Sequence, residues 1–128
     1  TDYAIDLKFK IKLIRSQLAA KELYIARFYI STQKWVPAIN RLKNIVTDYD
    51  ETIFVEEALH RLVEIHYYLG LTDEAEKYAQ ILGYNFNTSE WFEKSYKLFN
   101  KDYKIVKKNN LKPKEKSFFK KIVNIIKK

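Results

Sequence analysis

At 128 residues, with 47% hydrophobic positions, the chain can bury one modest core or a short solenoid, which excludes wholesale disorder. The absence of Cys removes disulfides, thiolate metal sites and cysteine nucleophiles. The net charge of +8 is unevenly placed: residues 1–100 hold 13 Lys and Arg against 14 Asp and Glu, whereas residues 101–128 hold 11 Lys against two acids. The basic character therefore belongs to the C-terminal tail, and a nucleic-acid reading based on the whole-chain charge would mistake an appendage for a property of the body.

The first predicted helix runs from about Tyr3 to Ile30 with no Gly or Pro inside it. Leu7, Ile11, Ile14, Leu18, Ile25 and Phe28 fall on one stripe, which predicts a single buried face along its length. Its length exceeds that of one helix of an ordinary repeat, so it reads as an extended first helix joining two units. After the polar turn Ser31-Thr32-Gln33-Lys34, a second helix is expected from Trp35 to Tyr49, with Pro37 tolerated in the first turn. Ala38, Ile39, Leu42, Ile45 and Val46 form its predicted core face.

A third helix is expected from Ile53 to Leu69, with Val55, Ala58, Leu59, Leu62, Val63 and Tyr67 inward and Gly70 as its stop. Thr72 is expected to cap a fourth helix that ends at Leu82 before Gly83. A fifth runs from Glu90 to about Asn100 and has no obvious partner of the usual length. Residues 101–117 read as a basic linker. Residues 118–128 read as an amphipathic C-terminal helix with Phe118, Phe119, Ile122, Ile125 and Ile126 on one face. That face has three readings: docking on protein, binding a membrane surface, or a disordered tail.

A period of 37 residues connects these elements. It places Ala38 on Ala75, Ile45 on Leu82, Tyr49 on Phe86, Leu59 on Tyr96 and Leu62 on Phe99. A fixed period of this size with helical content implies stacked antiparallel helix pairs over residues 1–100, an all-α solenoid. Such a stack presents an extended surface for other proteins rather than a catalytic pocket.

Enzymatic signatures are missing from the sequence. His60 and His66 are the only histidines, and six residues on a helix turn them about 240° apart, so they do not make a metal pair. There is no Gly-rich phosphate loop and no nucleophile elbow. The chain is therefore read as non-catalytic, with no cofactor and no metal. Ten Tyr and eight Phe are better explained as core at helical spacing than as a stacking platform for single-stranded nucleic acid. The expected groove positions Ala20, Leu23, Tyr24, Arg27, Glu57, His60, Arg61 and Glu64 do not form the Lys and Asn clamp that holds C-terminal carboxylates.

The helix pairs resemble tetratricopeptide repeats, with Ala26, Tyr29 and Ala38 in one unit and Val63, His66, Ala75 and Ala79 in the next. Within that class, four segments resemble the BamD family of outer-membrane lipoproteins. They are Arg15-Ser16-Gln17-Leu18-Ala19-Ala20-Lys21-Glu22 leading to Ala26-Arg27-Phe28-Tyr29, then Trp35 to Leu42, Asp48-Tyr49-Asp50-Glu51-Thr52, and Glu57-Ala58-Leu59. Asp50 and Asn87 depart from the family, which usually has Pro after the aromatic of both inter-repeat loops.

The resemblance covers about residues 1–100 and implies the C-terminal half of such a protein. It implies a scaffold in outer-membrane β-barrel assembly, on the periplasmic face, with a lipidated Cys upstream of Thr1, a residue read as the start of a fragment or processed product. It also implies docking to the POTRA domain of BamA and to other subunits of that machinery, through Arg41 of the Asn40-Arg41 pair. Two rivals stand beside it: a generic tetratricopeptide adaptor in another complex, and nucleic-acid binding through the tail, which the neutral body disfavours.

Overall fold

The computed structural model describes residues 1–100, and these form five α-helices with no strand among them: α1 Asp2–Ser31, α2 Trp35–Asp48, α3 Val55–Tyr68, α4 Thr72–Asn85 and α5 Glu90–Phe99. The helices stack in antiparallel neighbours. The extensive contacts are α1 with α2, α3 with α4, α2 with α3, and α5 with both α3 and α4. This is the expected helix-pair stack. The expected linker and C-terminal helix, residues 101–128, lie outside the described residues.

The period recurs bond for bond in the backbone. Lys34 N–H donates to Tyr29 C=O at 2.8 Å, and 37 residues on Leu71 N–H donates to His66 C=O at 2.8 Å. Gln33 N–H to Ile30 C=O is matched by Gly70 N–H to Tyr67 C=O. At the other end, Tyr49 N–H to Ile45 C=O is matched by Phe86 N–H to Leu82 C=O, and the two capping residues have near-equal dihedrals (φ −132°, ψ 35° and φ −136°, ψ 45°).

Two core clusters meet on α3. One joins Leu23, Ala26, Ala38, Leu42 and Ile45 to Ala58, Leu62 and Ile65. The other joins Val55, Leu59 and Val63 to Ala75, Ala79, Leu82, Phe92 and Tyr96. Because α3 is clasped from both sides, even its Glu57, His60 and His66 are buried. Ala38 and Ala75 are both 0% exposed, as expected of small residues where paired helices cross.

Several expectations need correction. The stripe along α1 is not buried: Leu7, Ile11, Ile14, Leu18 and Phe28 are exposed, and the buried residues are Ala19, Leu23 and Ala26. The reason is length. A 14-residue helix covers about 21 Å, less than half of the roughly 45 Å of a 30-residue one. Arg15, which bonds the Asp48 C=O and Glu51, marks where α2 ends alongside α1. The residues before it overhang.

Tyr67 is 40% exposed rather than inward. Thr72 is the first residue of α4, whose cap is Leu71 without a side-chain bond. Gly83 does not stop α4 but lies buried inside it, because the ring of Phe92 occupies the space of its side chain: a Cβ there would stand 2.5 Å from Phe92 Cε2.

Candidate functional site: a half-exposed arginine and the face of α1, α3 and α5

Arg41 lies on α2, the second helix of the first pair, with its side chain 40% exposed. Its Nη1 donates to Glu22 Oε1 of α1 at 2.9 Å, and Asn44 Nδ2 donates to Glu22 Oε2 at 3.4 Å. Glu22 is more enclosed, at 17%. The guanidinium is thus steered by one carboxylate while part of it stays open to solvent. Five donors on a planar fork leave capacity for a second carboxylate from outside. Asn40 is exposed on the same helix. Nothing in the linear sequence marked Glu22 as the group that aims Arg41, since the two meet only when the first pair closes.

A second polar constellation crosses the face shared by α1, α3 and α5. Arg27 of α1 grips Glu57 of α3 through both nitrogens of its fork, with Nε 2.9 Å from Oε1. Arg61 reaches Glu57 at 3.4 Å and Glu64 at 2.7 Å. His60 lies 3.4 Å from Glu64 through Nε2, and its Nδ1 lies 2.8 Å from Ser95 Oγ of α5. With Nε2–H directed at Glu64, Nδ1 accepts the Ser95 hydroxyl proton, and all three buried or half-buried groups are satisfied. Arg61 also lies over the ring of Trp91, beside His60.

Burial of Glu64 pushes its carboxyl up, but the bonds from His60 and Arg61 outweigh that and bring it down to about 2. Of the positions expected to face a groove, Arg27, Glu57, His60, Arg61 and Glu64 are paired in one network, whereas Leu23 is buried in the core and Tyr24 is exposed. Such a ladder welds helices together: Arg61 is shared by two carboxylates, and Arg27, though 53% exposed, spends two nitrogens of its fork on Glu57. His66 is equally structural: its Nδ1 donates to Leu62 C=O at 2.7 Å and its ring stacks near Tyr78. No group of three or more potential metal ligands occurs among the described residues.

Beside the ladder lies an apolar pocket of 540 Å³, lined by Ile30, Trp35, Ile65, Tyr67, Tyr68 and Leu98, with Glu64 at its edge. Trp35 and Tyr68 contact each other at 5.3 Å between ring centroids. The sequence reading had no signal for this pocket, because its walls come from four helices. The tail face at Phe118, Phe119, Ile122, Ile125 and Ile126 lies outside the described residues.

Comparison with known proteins gives this arrangement a context. Residues 1–81 match the model of the YfiO family, described as an outer membrane lipoprotein. The chain is similar to the outer membrane protein assembly factor BamD of Rickettsia prowazekii (strain Madrid E), at 46% identity over 98 residues, which are 77% of this chain and 39% of that relative. BamD of Caulobacter vibrioides is 39% identical over 100 residues, 78% of this chain and 33% of the relative. BamD of Vibrio cholerae is 31% identical over 83 residues, 65% of this chain and 34% of the relative. The chain thus spans between a third and two fifths of the length of these relatives. They are assembly factors, not enzymes, in keeping with the non-catalytic reading of the sequence. No solved structure matches.

Proposed function

The chain belongs to the YfiO outer-membrane lipoprotein family, and we propose that it acts as a non-catalytic scaffold in outer-membrane protein assembly, docking the POTRA region of BamA through α2. The observation that supports this most directly is the likeness to assembly factors together with an arginine that is aimed but not consumed: Arg41 is held by Glu22 and remains 40% exposed. A partner carboxylate arriving at that guanidinium completes a shared pair, and Asn40 adds neutral donors beside it. The energy comes from shape and a few charge-assisted bonds, with no covalent step.

On this reading the protein works at the periplasmic face of the outer membrane. No helix among the described residues is long and apolar enough to cross a membrane. None of the 128 residues is Cys, so on this reading the lipidated Cys belongs to a part of the protein outside them. Neither the adaptor reading nor the nucleic-acid reading gains a specific observation from the described residues.

The test uses two variants that break the same internal pair. Arg41→Ala and Glu22→Ala both remove the Arg41–Glu22 bond, and Glu22→Ala also removes the one from Asn44, so the melting temperature of each is read beside its binding. Only Arg41→Ala removes the partner contact. In a titration with the purified BamA POTRA region, Arg41→Ala is expected to weaken binding at least tenfold, about 1.4 kcal/mol, and Glu22→Ala by less than threefold. Equal weakening by both variants, or by neither, overturns the assignment of Arg41.

A further inference from the structure

We propose that the apolar pocket between α1, α2, α3 and α5 is a docking site for an extended segment of a partner protein in which a bulky apolar residue stands next to an arginine or lysine. The site uses neither Arg41 nor Asn40, so it stands or falls separately from the docking proposed for α2. Its most enclosed lining residue is Ile65, 2% exposed, where α3 passes between the first helix pair and α5. Ile30, Trp35 and Leu98 are half-buried around it, whereas Tyr67 and Tyr68 remain 40% and 71% exposed. At 540 Å³ the space exceeds any single side chain and lies within the range of sites that bury most of a ligand. Water held against these walls finds few polar partners, so an apolar occupant gains by displacing it.

Apolar walls alone accept any apolar group, and the charge narrows the class. Arg27 and Arg61 are balanced by Glu57 and Glu64 within the ladder, and of these four only Glu64 lines the pocket. Burial raises its carboxyl, but the bonds from His60 and Arg61 prevail and keep it near 2, so it is a full negative charge at neutral pH. Its Oε2 accepts from Arg61 at 2.7 Å, and Oε1 lies 3.4 Å from His60 Nε2. A carboxylate offers about four lone-pair positions, so about two remain for a donor from outside. The side chain is 37% exposed, which leaves those positions within reach.

The walls favour the same chemistry. Trp35 and Tyr68 stand 5.3 Å apart between ring centroids, and both rings line the pocket. Aromatic faces attract a guanidinium or ammonium, and the methylene stem of such a side chain covers apolar surface on the way to its carboxylate. An apolar neighbour in the same segment fills the volume that the stem leaves. An acidic segment, or the carboxylate of a fatty acid, meets a like charge at Glu64 instead.

The test titrates the full chain with three acetylated and amidated peptides, Gly-Ser-Leu-X-Leu-Ser-Gly with Arg, Gln or Glu at X, and follows the indole N–H signal of Trp35 by NMR. The Arg peptide is expected to bind about threefold to fivefold tighter than the Gln peptide, and the Glu peptide weakest. Glu64→Gln is expected to bring the Arg and Gln peptides within about twofold of each other while the Gln peptide still binds. Tyr68→Ala removes an exposed pocket residue and is expected to weaken all three at least threefold, with little change in melting temperature. Arg41→Ala is expected to bind the peptides as the parent does, so a failure here leaves the α2 assignment untouched. No saturable shift with the Arg peptide, one affinity for all three, or an Arg preference that survives Glu64→Gln overturns the proposal. Affinities unchanged by Tyr68→Ala do the same. So does a Trp35 signal that moves with protein concentration alone, which assigns the pocket to a second copy of the chain.

Discussion

The junction between α1 and α3 and the junction between α3 and α5 occupy equivalent places in the repeat, yet they are built from opposite materials. Leu23 and Ala58 belong to one buried apolar cluster at the first; 37 residues on, the same positions hold His60 and Ser95, bonded at 2.8 Å and equally buried. At the adjoining contacts, α2 with α3 and α4 with α5, Val46 and Val55 become Gly83 and Phe92, a medium pair exchanged for the smallest residue and a ring that fills its space. Backbone hydrogen bonds meanwhile coincide from turn to turn. The period therefore specifies where the chain bends and how helices lie, whereas each junction solves its packing separately. Volume and hydrogen-bond capacity are balanced within a junction, not position by position.

The largest expected effect tests the volume exchange. Gly83→Val places a branched side chain against the Phe92 ring and is expected to cost about 2–3 kcal/mol by overpacking. Phe92→Val alone leaves a void in a 1%-exposed site and is expected to cost about 2–4 kcal/mol. The double variant rebuilds the valine pair of the first unit. It is expected to fall short of the additive sum by at least about 1 kcal/mol in urea unfolding. Strict additivity would show that the two positions do not compensate each other, and the comparison of the junctions would fail there.

The polar exchange predicts a smaller but sharper pattern. Ser95→Ala strands a buried imidazole nitrogen, and His60→Leu strands the hydroxyl and removes the His60 bond to Glu64; each is expected to cost about 1–3 kcal/mol. Combining the two recreates the apolar pair Leu23 and Ala58. Removing both partners is expected to leave the protein within about 1 kcal/mol of the parent, because no orphan of the pair remains. A double variant as unstable as the sum of the singles would mean that the second junction depends on its polar ladder for more than satisfaction.

Acid unfolding sharpens the same contrast, since the second junction carries a titrating carboxylate where the first has Arg27. Desolvation raises Glu64, yet the bonds from His60 and Arg61 prevail and hold it near 2, below the ordinary 4.5. A folded-state value below the unfolded one means that its contribution is fully present above the unfolded value. It is lost as pH falls from about 4.5 toward about 2. Glu51 is also brought to about 2 by its bond from Arg15, but that pair stands in solvent and adds little to the slope. The melting temperature of Glu64→Gln is expected to fall less steeply with acid over this window than that of the parent. An unaltered slope would remove Glu64 from the ladder.

Fold class, the five helices and the crossing alanines were legible because they rest on short-range signals: periodic apolar residues, few Gly and Pro, and a constant repeat. The errors share one physical origin. Whether Leu7 or Ile14 is covered depends on how far α2 reaches along α1, which no local pattern encodes. Gly83 carries a stop signal locally, but Phe92 across the junction gives it a packing role. For Arg41, helix and exposure were readable, while Glu22 was not, because a partner 19 positions away on another helix leaves no periodic trace. The pocket wall at Ile30, Trp35, Tyr68 and Leu98 was hidden for the same reason.

The smallest expected effect concerns the turns that keep the two units in step. Gln33 has φ 56° and Gly70 has φ 78°, and both donate the equivalent bond back to the preceding helix. A residue with a Cβ in this left-handed region is strained by about 1–2 kcal/mol, whereas glycine is not. A Cβ on Gly70 would meet no atom within 4 Å, so the cost of adding one there is purely backbone. Gly70→Gln is therefore expected to destabilise, and Gln33→Gly to stabilise. Each change is partly offset, because glycine loses about 0.5–1 kcal/mol more chain entropy on folding. The net expectation is about 0.5 kcal/mol in each direction, read as opposite shifts of the unfolding midpoint at unchanged slope. Shifts of the same sign would mean that side-chain contacts, not the shared backbone bend, set the stability of the turns, and the equivalence of the two units would end at their hydrogen bonds.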